Sequence, residues 1–255
     1  MSQLQLERKP QTIEILGVKV HKVTMEEALE HLEYMAQNGR PQIVITLNTE
    51  MVMLAQRNQE FRKILNNAAL VLPDAVGLVW ASRVLGEPLP ERMAGVDTVE
   101  RFASNASRKN IRFFLLGAAH GVADKVAHRL QERYPGLVVS GTYAGSPYPD
   151  DEEQICKRII AAAPHVLLVA YRVPEQEFWI ARNLQRLDVP VVINVGATFD
   201  FIAGVIRRAP LWMQKHGLEW LYRLICQPSR WRRVVALPRF VIAVLHYRFT
   251  APLRK

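Results

Sequence analysis

The chain has 255 residues, 49% of them apolar, and two cysteines. That composition suits one large domain, or a domain with an appendage, and excludes both a disordered chain and a small disulfide-stapled scaffold. The formal charge of +9 is unevenly spread: residues 206–255 hold eleven Lys and Arg against one acid, Glu219, leaving 22 basic and 23 acidic residues in 1–205.

The first eleven residues are polar with no apolar run, which predicts no signal peptide. Ile13 to Val20 reads as two short strand pieces broken at Gly17. Thr24-Met25-Glu26-Glu27 has capping-box spacing, the Thr accepting the third helical N–H while the Glu reaches back. It predicts a helix to about Gln37, ended by Asn38-Gly39. Gln42–Leu47 is a strand leading into Asn48-Thr49-Glu50, followed by helical segments over about 49–56 and 59–67. Ala68 to Leu72 is a short buried strand, stopped by Pro73, which has no N–H for a ladder. Asp97 to Glu100 reads as a second capping box, opening a helix to about Lys109.

Further strands over 111–116, 137–139, 165–170 and 189–195 alternate with helices over 122–134, 150–163 and 174–187. Alternation at this spacing predicts an α/β fold with a Rossmann-like, doubly wound, mainly parallel sheet. Past Gly204 the pattern becomes two or three short helices rich in Arg and Trp, broken at Pro228 and Pro238 and packed outside the sheet. The expected division is a catalytic core at 1–204 and a basic amphipathic helical appendage at 205–255. Cys156 and Cys226 sit in apolar helical contexts and are expected as buried free thiols in a reducing compartment. The seven histidines have no ligand spacing, so no metal site is expected. No run reaches the roughly 18–20 apolar residues that span a bilayer.

In an open parallel sheet, ligands sit beyond the carboxyl ends of the strands. Thr46-Leu47-Asn48-Thr49-Glu50 carries polar groups where apolar ones would prolong a strand. Asp74 follows Pro73 and is either a cap for the next helix, the commoner use of Asp, or a general base. Gly117-Ala118-Ala119-His120-Gly121 lets backbone N–H groups approach a ligand at a helix start, although it lacks the dinucleotide fingerprint and tight-turn packing is the plainer reading. Val195-Gly196-Ala197-Thr198-Phe199-Asp200 is a second glycine turn, with Asp200 a cap or a ligand group. In Val173-Pro174-Glu175-Gln176-Glu177, Gln176 either hydrogen-bonds a sugar or is simply exposed. Taken singly, each plain reading wins, but a parallel sheet gathers all five segments on one rim.

Together with Glu91-Arg92-Met93-Ala94-Gly95-Val96-Asp97, Arg208-Ala209-Pro210-Leu211-Trp212 and Gly217-Leu218-Glu219-Trp220-Leu221-Tyr222-Arg223-Leu224, these segments give the chain its resemblance to the WecG/TagA/CpsF family, glycosyltransferase family 26, over nearly its whole length. The resemblance implies an inverting transferase that needs neither metal nor cofactor. It implies movement of a sugar, typically of N-acetylmannosamine type, from a UDP donor to a polyprenyl-diphosphate-linked sugar on the cytoplasmic membrane face. It puts the base at Asp74, substrate contacts at Thr46, Asn48 and Gln176, and diphosphate contacts at Arg223, Arg230 and Arg233. It also suggests self-association through the core. Gly117, Gly121, Gly196 and Asp200 complete the candidate substrate-binding set. The chain departs from the family pattern at Ala75, at Ala118, and at Tyr171-Arg172, where side chains stand in place of a glycine-rich turn.

The tail has the composition of an interfacial helix: Trp231, Leu237, Phe240, Val241, Val244, Leu245, Tyr247 and Phe249 interleave with arginines. Docking on an anionic membrane surface and closure over the lipid-linked acceptor are the expected uses. A non-catalytic scaffold of polysaccharide assembly is one alternative. A nucleic-acid-binding tail is another, disfavoured by its many aliphatic residues, so no nucleic-acid partner is expected.

Overall fold

The computed structural model describes residues 10–228 and 236–250. An antiparallel hairpin comes first, β1 (Thr12–Ile15) and β2 (Val18–His21), with the chain reversing at Leu16 and Gly17, both at positive φ. The first helix, α1 (Met25–Asn38), begins at the capping box expected for it: Thr24 accepts the Glu27 N–H, and the Glu27 carboxylate takes the Thr24 N–H at 2.8 Å.

Six parallel strands follow: β3 (Gln42–Leu47), β4 (Leu70–Pro73), β5 (Arg112–Gly117), β6 (Val138–Tyr143), β7 (Val166–Ala170) and β8 (Val191–Asn194), in the order β4-β3-β8-β7-β5-β6. The helices α2 (Thr49–Ala55) and α3 (Gln59–Asn67) join β3 to β4, and α4 (Val76–Val84) and α5 (Gly95–Ala106) join β4 to β5. Then come α6 (Val122–Arg133), α7 (Pro149–Ala162) and α8 (Glu175–Leu187) between successive strands, and α9 (Thr198–Ile202) after β8. The appendage holds α10 (Leu211–Lys215), α11 (Glu219–Cys226) and α12 (Ala236–Thr250).

Strand side chains alternate between faces, which divides the core. Val44, Leu70, Leu72, Phe113, Leu115, Leu168 and Ile193 pack with α1, α5, α6 and α9. On the opposite face Ile45, Leu47 and Val71 meet the hairpin, α2, α3, α4 and α12, while Phe114, Leu116, Leu167 and Val169 meet α7 and α8. The doubly wound expectation holds, with apolar runs covered on both sides as a parallel sheet requires.

Five details differ from the sequence reading. Pro238, read as a helix break, lies in the first turn of the 15-residue α12, where a missing N–H costs no intrahelical bond. Phe240 and Val244, read as lipid-facing, are fully buried where α12 lies on α2 and α4, because their i, i+4 spacing forms the inward stripe of that helix. Cys226 is exposed, since α11 buries none of its residues, whereas Cys156 is buried as expected. The helix expected from Asp97 starts two residues earlier, at Gly95, and no side chain caps it. Finally β6 continues through Ser140-Gly141-Thr142-Tyr143, polar residues that an edge strand tolerates. A Cβ at Gly141 would lie 2.5 Å from the Phe114 ring on β5, so the missing side chain is what lets the two strands close.

Candidate active site

Asp74 stands at the carboxyl end of β4. Its N–H extends the ladder to the Leu47 carbonyl at 2.9 Å, and its own carbonyl takes the Arg92 Nε–H at 2.7 Å. The side chain does not cap α4, whose N-cap is Ala75 without a side-chain bond. Asp74 Oδ1 instead accepts the N–H of Gly95 at 2.8 Å, the first residue of α5, 21 positions along the chain. Burial pushes this carboxyl above its ordinary value. Arg92, the Gly95 N–H and Arg223 pull the other way, and Glu219 adds to the rise. A carboxylate held by one backbone donor, with its proton affinity raised, has the character of a general base.

Beside it the C-terminal ends of β3 and β8 are joined through side chains. After Asn194 the backbone of β8 turns away, and the Asn194 side chain continues the pairing: its Oδ1 accepts the Thr46 N–H at 2.6 Å. Thr46 Oγ1 donates to the Asn194 carbonyl at 2.8 Å. A Cβ at Gly95 would lie 3.0 Å from Thr198 Oγ1 and 4.0 Å from Thr46 Oγ1, so a side chain here would crowd the Thr198 hydroxyl. Gln176, at the start of α8, is buried rather than exposed, and its Nε2 lies 4.0 Å from the Cβ position of Gly196. Asn48 acts as the N-cap of α2, accepting the Met51 N–H at 3.0 Å. Asp200 lies in the first turn of α9.

Gly117 and Gly121 belong to another part of the rim. β5 leads outward to β6 while β7 leads inward to β8, so connections diverge at the β5–β7 boundary, the switch point where α/β folds open a crevice. Gly117 has φ 101°, and a Cβ there would lie 2.8 Å from the Ala170 backbone, so only glycine fits. Gly121 precedes α6 at φ 75° with open space about its Cβ position. Two intervening strands, β8 and β7, separate these glycines from Thr46 on β3.

The appendage meets the rim through charge. Glu219, the one acid of the tail, accepts from Arg92 and lies 3.4 Å from Arg208 Nε. Arg208 also grips both oxygens of Asp97, at 2.6 and 2.7 Å. Asp97, read from the sequence as a cap, is therefore one end of a bidentate ion pair. Arg223 lies over the Phe201 ring, 4.6 Å from its centre, and its charge reaches Asp74. Arg230 and Arg233 lie outside the described residues. Sequence reasoning missed Glu177 and Asn194 as site residues, although an amide ending the apolar run Val191-Val192-Ile193 was a readable signal.

The rim therefore joins a strand-end carboxylate, hydroxyl and amide groups from four other elements, β3, β8, α8 and α9, and an arginine from an appended helix. The sequence profile of the family described as Glycosyl transferase WecG/TagA/CpsF family matches residues 13–254. This chain belongs to the WecG/TagA/CpsF family. It is a glycosyltransferase. A relative from Bacillus spizizenii strain W23, named N-acetylglucosaminyldiphosphoundecaprenol N-acetyl-beta-D-mannosaminyltransferase, is 34% identical over 226 residues, 88% of this chain and 87% of the relative. Proteins of the same name from Bacillus subtilis strain 168 and Staphylococcus aureus strain NCTC 8325 are 33% and 29% identical, over 80% and 91% of this chain and 78% and 91% of their own lengths. Among the described residues no helix is long and apolar enough to cross a membrane, and no cluster of His, Cys, Asp and Glu could hold a metal ion.

Proposed function

We propose that this glycosyltransferase moves an N-acetylmannosamine-type sugar from UDP onto a polyprenyl-diphosphate-linked N-acetylglucosamine, with inversion, at the cytoplasmic membrane face. The names of the relatives support the transferred sugar and the acceptor. The observation that carries the mechanism is the Asp74 carboxyl, fixed by the Gly95 N–H within the field of Arg92 and Arg223. Asp74 takes the proton of the acceptor hydroxyl as its oxygen bonds to the anomeric carbon. The bond from that carbon to the UDP oxygen breaks on the opposite face, and its electron pair leaves with the diphosphate. Arg223, together with Arg230 and Arg233 of the tail, stabilises the departing charge by guanidinium forks, without a metal. Thr46 and Gln176 orient the sugar, and the turn at Gly117 and Gly121 receives the nucleotide end. Three strand spacings, roughly 14 Å, separate β3 from β5, a span suited to a nucleoside diphosphate sugar. The test incubates the protein with UDP-N-acetylmannosamine, other UDP-sugars and a short-chain lipid-diphosphate N-acetylglucosamine. Transfer with inverted anomeric configuration is expected, and transfer from none of the donors would overturn the reading.

Membrane docking belongs to the same proposal. Leu211, Trp212 and Ile225 of α10 and α11, and Ile242 and Phe249 of α12, are exposed, with Phe249 83% exposed. Large apolar side chains beside cationic ones favour an anionic leaflet, each basic group adding about 1 kcal/mol near the surface.

A further inference from the structure

Behind the rim lies a buried polar network that the proton-transfer scheme above does not use. Glu177, in the first turn of α8, is fully buried. Its Oε1 accepts two amide donors, Gln176 Nε2 and Asn194 Nδ2, each at 2.7 Å. Asn194 Oδ1 in turn holds the Thr46 N–H, and Asn194 Nδ2 lies 4.0 Å from Met51 Sδ on α2. One carboxyl oxygen thus decides which way two amides face. It leaves Asn194 with its oxygen toward Thr46, and Gln176 with an Oε1 that has no partner among the described residues. The Thr46 hydroxyl donates to the Asn194 carbonyl at 2.8 Å, has Asn194 Oδ1 within 3.3 Å as a second acceptor, and lies 4.0 Å from the Cβ position of Gly95.

We propose that Glu177 is a positioning residue of the transferase site, a clamp that fixes the amide orientations of Gln176 and Asn194 and, through Asn194, the Thr46 hydroxyl as an acceptor for the sugar. A carboxyl in this position works as a neutral acid, since two amide donors are too few to satisfy a buried carboxylate, and Oε2 has no partner among the described residues. Burial accordingly pushes Glu177 up to about 8, against the pull of Asn194, its own backbone N–H and Gln176, and nearby Glu175 adds to the rise. β8 faces Glu177 with the uncharged Asn194, the layer beyond holds Thr46 and Met51, and α3 meets this helix through Phe61 on Phe178.

The inference rests on Thr46 and Gln176 orienting the sugar, so its test has one arm that needs no turnover. Full-length wild type, Glu177→Gln and Glu177→Leu are compared. Glu177→Gln keeps an acceptor oxygen and stays neutral, whereas Glu177→Leu removes the clamp. In sugar transfer at pH 7, Glu177→Gln is expected to stay within about threefold of wild type, and Glu177→Leu to lose on the order of 10²-fold in kcat, the scale of an ångström-sized misplacement. In thermal unfolding, the wild-type midpoint should fall relative to that of Glu177→Gln between pH 5 and pH 8, because the folded state holds a proton that the unfolded state has released. Folded Glu177→Leu with wild-type kcat would overturn the clamp. Equal inactivity of Gln and Leu variants would overturn the neutral acid, as would parallel pH curves. An inactive wild type would instead refute the transferase substrates, leaving the unfolding arm to decide on Glu177.

Discussion

Strand-end carboxylates usually serve the helix that follows them, and the local sequence around Asp74 is consistent with that use. The structure assigns its carboxylate to Gly95 instead, a bond invisible in the sequence because 21 residues intervene. Gln176 is a similar case: its helical position was legible, but its burial belongs to a network in which the adjacent Glu177 is tied to Asn194, a residue that arrives from β8. Asp74 also carries a stability consequence. Its folded-state affinity for a proton exceeds the unfolded value near 3.8, so folding binds a proton, and stability is lost as pH rises above that value. Asp74→Asn can keep the Gly95 bond without this loss. Its unfolding midpoint should gain on wild type as pH rises above the unfolded value; a constant deficit at every pH would contradict the raised affinity.

Among the elements, those defined by local signals were readable. The Thr24–Glu27 box fixes the start of α1, and Thr24→Ala should cost about 1 kcal/mol in denaturant unfolding. The Asp97–Glu100 spacing looked equivalent yet caps nothing, because α5 is started from outside. Met93 N–H bonds the Pro73 carbonyl at 2.8 Å, Gly95 bonds Asp74, and Asp97 is drawn to Arg208. The alternating pattern disclosed the parallel sheet but not the polar extension of β6, which depends on Phe114 occupying the space above Gly141. For α12 the composition suggested a lipid surface, while the spacing of Phe240 and Val244 makes its inner stripe part of the core. Phe240→Ala should therefore lower stability by about 3–5 kcal/mol in denaturant unfolding. A loss below 1 kcal/mol would mean that α12 is not seated on α2 and α4.

For the molecule as a whole, the charge division seen in the sequence acquires a mechanical meaning. Glu219 of the appendage holds Arg92 of the body and Arg208 holds Asp97, so the tail's one acid is one of its fastenings. Glu219→Ala should leave the core melt nearly unchanged but speed tryptic cleavage in residues 205–228, since two arginines lose their common partner. Trp212, Ile225 and Phe249 of the appendage are exposed. Combined Trp212→Glu and Phe249→Glu should reduce sedimentation with anionic liposomes while leaving the fold intact by circular dichroism. Unchanged sedimentation would remove these residues from membrane docking. Truncation after Gly204 would be a poor substitute, because it would also take Phe240 and Val244 from the core.

The most direct measurement is single-turnover transfer by Asp74→Asn, with UDP-sugar binding followed on the same preparation. Loss of at least about 10²-fold in the chemical step, with donor affinity within a few-fold of wild type, is the expected result for a missing general base. Retention of most of the wild-type rate would remove Asp74 from that role and with it the mechanism built around this rim.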